Sequence, residues 1–161
     1  MIRRQKVSLA ALTASLLVAP AAANAADETV LFNAAVAGAC ILTVGTPGTM
    51  AVDVATYQTL SSKNATGIAG TVTALTSGTG FEVSTTAPSA FLVAPATGND
   101  NVSFDSSYSL SGVTTILDVP GITPTVLGLG LTQVDVDLTA TKSSGGFETG
   151  LYTASVTVTC E

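Results

Sequence analysis

Hydrophobic and polar positions alternate with a period of two along most of this chain, and no stretch after the first two dozen residues shows helical spacing. From Thr29 to Leu42 the even positions carry Val30, Phe32, Ala34, Val36, Gly38, Cys40 and Leu42, while the odd positions mix Leu31 and Ile41 with Asn33 and Thr43. Gly45-Thr46-Pro47-Gly48 then signals a turn, and a strand resumes from Met50 to Val54. Beyond a loop at Ser61-Ser62-Lys63-Asn64, Ile68, Val72 and Ala74 alternate with Thr71 and Thr73. Ser77-Gly78-Thr79-Gly80 follows, then a short run bearing Phe81 and Val83. Two alternating runs flanking a Gly-rich turn predict a β-hairpin.

The middle is broken by Pro88, Pro95 and Gly98-Asn99-Asp100-Asn101 into short pieces around Phe91-Leu92-Val93, Val102 to Leu110, and Val113 to Val119. Pro120-Gly121 and Pro124 predict an edge or a loop there, because proline cannot donate to a ladder. Clean alternation returns from Leu131 to Ala140, with Val134, Val136 and Leu138 opposed to Gln133, Asp135 and Asp137. After Ser143-Ser144-Gly145-Gly146 comes the clearest strand. Tyr152, Ala154, Val156, Val158 and Cys160 share one face, and Thr153, Ser155, Thr157 and Thr159 the other. About eight short strands punctuated by turns predict an all-β, antiparallel sandwich of two sheets.

The N-terminus departs from this pattern. Arg3, Arg4 and Lys6 precede an apolar run from Val7 to Val18, Pro20 breaks it, and Ala23-Asn24-Ala25 places small residues where a signal peptidase cuts. Residues 1–25 are therefore expected to be a secretory signal peptide, and 26–161 the mature domain. The run is short for a membrane anchor, which needs about 20 apolar residues. No membrane span is expected in the mature chain. Without Arg3, Arg4 and Lys6, two of the five cations remain (Lys63 and Lys142) against eleven carboxylates, a net −9. That balance disfavours nucleic acid and anionic membrane as partners.

An exported chain with two cysteines, Cys40 and Cys160, forms one intramolecular disulfide by default; two free thiols or an intermolecular bridge are the alternatives. With no histidine in the chain, the usual general base and the usual zinc ligand are both missing. No nucleophile triad or phosphate loop is present, and Gly128-Leu129-Gly130 is an apolar turn without a following Lys. Asp135 and Asp137 share a strand face, roughly 6–7 Å apart, a spacing a hydrolase pair uses; a solvated strand face is the favoured reading. Asp100 and Asp105 with Asn99 and Asn101 match no calcium-loop pattern. Tyr57, Tyr108 and Tyr152 are scattered and predict no aromatic platform for a sugar. The expectation is a non-enzyme with no cofactor and no metal.

The two ends carry a resemblance. Thr29 to Cys40, an alternating extension before a first-strand cysteine, resembles the start of mature chaperone–usher pilins. Gly150-Leu151-Tyr152-Thr153-Ala154, followed by alternation to the C-terminus, resembles the closing strand of that family and of the related spore coat protein U domain. The match is confined to the two ends of the mature chain. One departure is the second cysteine, which pilins place early and which stands here at Cys160, marking a divergent relative.

The resemblance implies an immunoglobulin-like sandwich that lacks its final strand and so has an incomplete edge. It implies export through the inner membrane, a periplasmic chaperone and an outer-membrane usher as partners, and assembly at the cell surface into a fimbria-like fibre or coat, with or without an adhesive role. Val30, Phe32, Ala34 and Val36 are the donor-strand candidates, entering a groove on a copy of the chain or a related subunit by β-strand addition. Acceptor edges are the last strand (Gly150, Tyr152, Ala154, Val156, Val158) and the first, from Cys40 to Val44. Two alternatives stay open. In one, Val30 to Val36 is the first strand of its own sandwich; in the other, the protein is a self-contained secreted or periplasmic binding module.

Overall fold

The computed structural model describes residues 27–161; the signal peptide expected at 1–25 lies outside the described residues. Contacts within the chain divide it after Ala34, and of the first part only residues 27–34 are described. In the first, residues 27–34 carry no regular secondary structure. The second holds ten strands and is all-β: β1 (Cys40–Val44), β2 (Ala51–Val52), β3 (Thr59–Ser61), β4 (Gly70–Thr76), β5 (Glu82–Thr86), β6 (Val102–Gly112), β7 (Ile116–Pro120), β8 (Thr125–Val126), β9 (Gly130–Lys142) and β10 (Thr157–Cys160). Among the described residues no helix is long and apolar enough to cross a membrane.

The strands form two antiparallel sheets. The larger is organised on β9, whose even positions from Thr132 to Lys142 are all buried. One edge of β9 pairs with β6 over its whole length. The other edge pairs first with β4, Gly70 to Thr76 against Val136 to Gly130, then with β3, Thr59 to Ser61 against Thr141 to Thr139. Ser62 fills the gap where the partner changes. Its N–H donates to Leu138 O (3.1 Å), its Oγ accepts from Leu138 N–H (3.1 Å), and its hydroxyl donates to Asp137 Oδ1 (2.6 Å). Beyond β4 lies β1, beyond β3 lies β2, and beyond β6 lies β7, an edge strand as the proline at its end predicts. In β7 two residues, Leu117 and Asp118, oppose the single Ser109, and Asp118 takes φ +52° within this bulge.

The smaller sheet has the order β10-β5-β8. Its inner face meets the larger sheet around Tyr108, which is fully buried. The Tyr108 hydroxyl lies 3.0 Å from Val83 O on β5 and 2.7 Å from Thr123 O, and 2.7 Å from Thr125 Oγ1 on β8. A β6 side chain thereby fastens the two sheets at their centre. Around it pack Val72, Ala74, Val83, Leu110, Val119, Leu127, Val134 and Val136. A second cluster, toward the Lys142 end of β9, gathers Leu60, Phe91, Ala140 and Phe147 with Phe104 and Tyr152 beside them. Its rings meet edge to face, with Phe91 4.8 Å from Phe104 and 5.1 Å from Tyr152. Lys142 crosses this cluster: its Nζ donates to Thr97 O (2.8 Å) and Asp100 O (2.9 Å) and sits 5.4 Å from the Phe147 ring. These carbonyls satisfy a cation that burial leaves without water.

Three sequence expectations need correction. The runs either side of Ser77-Gly78-Thr79-Gly80 are not a hairpin: β4 pairs with β1 and β9, whereas β5 pairs with β10 and β8. That Gly-rich turn carries the chain from one sheet to the other. Alternation at Val30 to Leu42 becomes a strand only from Cys40, and alternation at Tyr152 to Cys160 only from Thr157. In both places period-two patterning extends beyond the continuous strand; before Thr157 the last segment pairs only through an isolated bridge between Thr153 and Val93.

Candidate functional site: an open groove between two edge strands

β1 and β10 are edge strands of different sheets, and the Cys40–Cys160 disulfide joins them, Cα to Cα 6.3 Å. It connects the start of one strand to the end of the other. From that bridge the two edges diverge and leave a groove of about 530 Å³. Leu42 and Val44 line one wall and Ala154, Val156 and Val158 the other, while Val72, Val136 and Leu138 form the floor. The floor residues are core side chains, under a tenth exposed. At the far end Pro47 to Met50 and Thr153 border the mouth.

Among the described residues, backbone groups on both walls face this gap without a partner. Glu161 exchanges both hydrogen bonds with Glu82, and Thr153 exchanges them with Val93. Antiparallel ladders alternate in this respect, so Thr157, Thr159 and Glu161 bond inward to β5 and the backbone of Val158 points outward, while residues 154–156, between the Thr153 bridge and β10, belong to no strand. The same holds on β1. Ala39 O accepts from Ser77 N–H and Gly45 N–H donates to Thr71 O, which leaves Leu42 and Val44 directed at the open side. Among the described residues both edges therefore leave N–H and C=O groups unpaired, a template for an added strand.

The structure thus gathers Ala154, Val156 and Val158 with the Cys40-to-Val44 strand around one groove. Gly150 and Tyr152 lie elsewhere. They line a second cavity of about 430 Å³ with Met50, Val52, Tyr57, Leu60, Phe147, Glu148 and Leu151. The Tyr152 hydroxyl donates to Glu148 O (3.0 Å), and burial holds its pKa above the usual phenol value. Tyr57 is fixed at the rim of this cavity with φ +56°; its N–H donates to Asp53 O, and its carbonyl accepts from Phe147 N–H at 2.7 Å. The Asp53 carboxylate braces the same turn through Ala55 N–H and the Thr56 hydroxyl, and those two bonds lower its pKa. Tyr57 and Tyr152, scattered in sequence, converge here. Nothing in the sequence around Tyr57 marks it as a partner of Tyr152.

Val30, Phe32, Ala34 and Val36 sit in a stretch, residues 27–39, that contains no strand, and all four are exposed. Asp135 and Asp137 have different partners: Gln133 Nε2 donates to Asp135 (2.7 Å), and Ser62 Oγ donates to Asp137. Asp137 completes the switch of partners along β9. Among the described residues no group of three or more acidic, cysteine or histidine side chains is placed to hold a metal ion. No protein-family model, curated protein or solved structure matches the chain.

Proposed function

We propose that the protein is a non-catalytic structural subunit of an extracellular fibre or coat, in which the segment from Val30 to Val36 of one copy fills the groove between β1 and β10 of the next. A periplasmic chaperone would occupy that groove before assembly, and an outer-membrane usher would deliver the subunit to the surface. The supporting observation is the groove itself: two edges with outward-facing backbone, separated by an apolar floor that a soluble domain does not leave uncovered.

Dimensions agree with this reading. Val30 to Val36 extends about 20 Å as a strand, and the wall from Thr153 to Val158 has a similar length of about 17 Å. Val30, Phe32, Ala34 and Val36 are spaced two apart, so all four enter the same face of the groove. The disulfide closes one end, so the donor tip points toward Cys40–Cys160 and its root stays at the mouth. Such a strand runs antiparallel to β10, the geometry with the more stable ladder.

The test uses the full mature chain, purified without a chaperone and incubated at rising concentration. The expected result is a ladder of SDS-resistant oligomers. It should disappear for Val158→Asp, which places a charge on the groove wall, and for Phe32→Arg, which places one on the donor. Mixing the two variants should give no ladder beyond the dimer, because each copy retains only one working half. A strictly monomeric, soluble wild-type chain would overturn the proposal and leave a self-contained secreted or periplasmic binding module.

A further inference from the structure

The two ends of the larger sheet differ in a way that bears on how successive copies meet. β9 is thirteen residues long, about 40 Å. At its Gly130 end lie the disulfide and the root of the N-terminal segment, through the register Cys40–Thr76–Gly130. At its Lys142 end lie Thr59 and the cavity of Tyr57, Phe147 and Tyr152.

The Gly130 end carries an apolar row on its outer face. Ile41, Leu75 and Leu131 stand directly opposite one another across β1, β4 and β9 and are 56%, 45% and 57% exposed. Val113, whose N–H donates to Leu131 O, extends the row. The next outward-facing positions are polar: Thr43, Thr73 and Gln133. The Lys142 end carries exposed Tyr57 and Leu151 at the rim of its 430 Å³ cavity.

The chain leaves little slack between these two ends in neighbouring copies. At the root, Ala39 N–H donates to Ser77 Oγ (2.9 Å), and Gly38 packs so closely on Gly78 that a Cβ there would lie 3.1 Å from its Cα. If Val36 is the last residue inside the neighbour's groove, Ala37 alone separates it from this anchor, a span of at most about 7 Å. The Gly130 end of the donor must then abut the mouth of the acceptor, next to its aromatic cavity. Four half-exposed aliphatic side chains fall well short of the roughly 800 Å² per partner buried in a stable free complex. A tether of one residue supplies the effective concentration that so small a contact needs.

We propose, resting on the strand-exchange reading, that the row Ile41–Leu75–Leu131 of one copy docks on the Tyr57–Leu151 rim of the next. The contact is heterologous, joining unlike surfaces, so it propagates along an open filament, and it makes each junction stiff. The test incorporates a photo-crosslinker as Leu131→p-benzoylphenylalanine in the full mature chain, with Asp105→p-benzoylphenylalanine as control. Illumination of the SDS-resistant ladder is expected to link position 131 to the peptides that contain Tyr57 or Leu151 of the adjacent copy. Separately, Leu75→Lys/Leu131→Lys should keep the ladder but lower filament persistence length at least twofold by electron microscopy. A ladder whose crosslinks map elsewhere, or whose stiffness the lysines leave unchanged, overturns this contact and leaves strand exchange standing. Absence of any wild-type ladder overturns both.

Discussion

Replacing both cysteines, as Cys40→Ala/Cys160→Ala, removes a crosslink between residues 120 positions apart. On the chain-entropy account, opening a loop of that length frees about 16 cal/mol/K in the unfolded ensemble, or about 5 kcal/mol at 25 °C. The bridge lies at the junction of two edge strands from different sheets, where no ladder compensates for its loss. A domain of this size has about 5–15 kcal/mol in total, so the variant should be marginal. With a urea m-value of about 1–3 kcal/mol/M, the midpoint should fall by roughly 2–5 M. The assay is urea unfolding followed by circular dichroism, on the variant and on wild type with and without reductant. The groove has a second readout. Without the bridge nothing sets the spacing of its closed end, so a peptide of residues 27–38 should bind the variant at least tenfold more weakly. A midpoint shift worth less than about 1 kcal/mol would refute the reasoning, since it would mean that β1 and β10 hold their places unaided.

Tyr108→Phe removes the hydroxyl that meets Val83 O, Thr123 O and Thr125 Oγ1, and should cost about 1–3 kcal/mol by thermal melt because those groups lose a buried partner. Thr132→Val should do the reverse. Thr132 Oγ1 is buried without a hydrogen-bond partner among the described residues, so an isosteric methyl should raise stability by about 1 kcal/mol in the same assay. Lys63 donates to Asp118 and by that bond, then by its charge, lowers the Asp118 pKa below 3.8. A depressed carboxylate pKa means that the pair's contribution is present above the unfolded-state value and disappears as pH falls through the folded-state value. Lys63→Met should bring the Asp118 titration back toward 3.8 in carboxyl-carbon NMR and flatten that part of the acid unfolding curve.

Side-chain facing was legible in the sequence, whereas strand partnership was not. Val134, Val136 and Leu138 were set on one face by alternation alone, and they are buried; Tyr152, Ala154, Val156 and Val158 were set on one face in the same way, and they are half-buried against the core, because side chains of extended backbone change face at every residue whatever lies beside it. The all-β class followed from the same local pattern, and a Cys40–Cys160 bond was the default expected of two cysteines in a chain read as exported. What lies beside each strand is set by long-range packing. Nothing local distinguishes a Gly-rich hairpin from the Ser77–Gly80 crossing between sheets, nor shows that β9 exchanges β4 for β3 with Ser62 and Asp137 filling the seam. The convergence of Tyr57, Phe147 and Tyr152, and the opening of the groove over Val72, Val136 and Leu138, likewise depend on how the sheets stack. Periodicity specifies which face of a strand is apolar; only the packed sheets decide which apolar face is left without a neighbour.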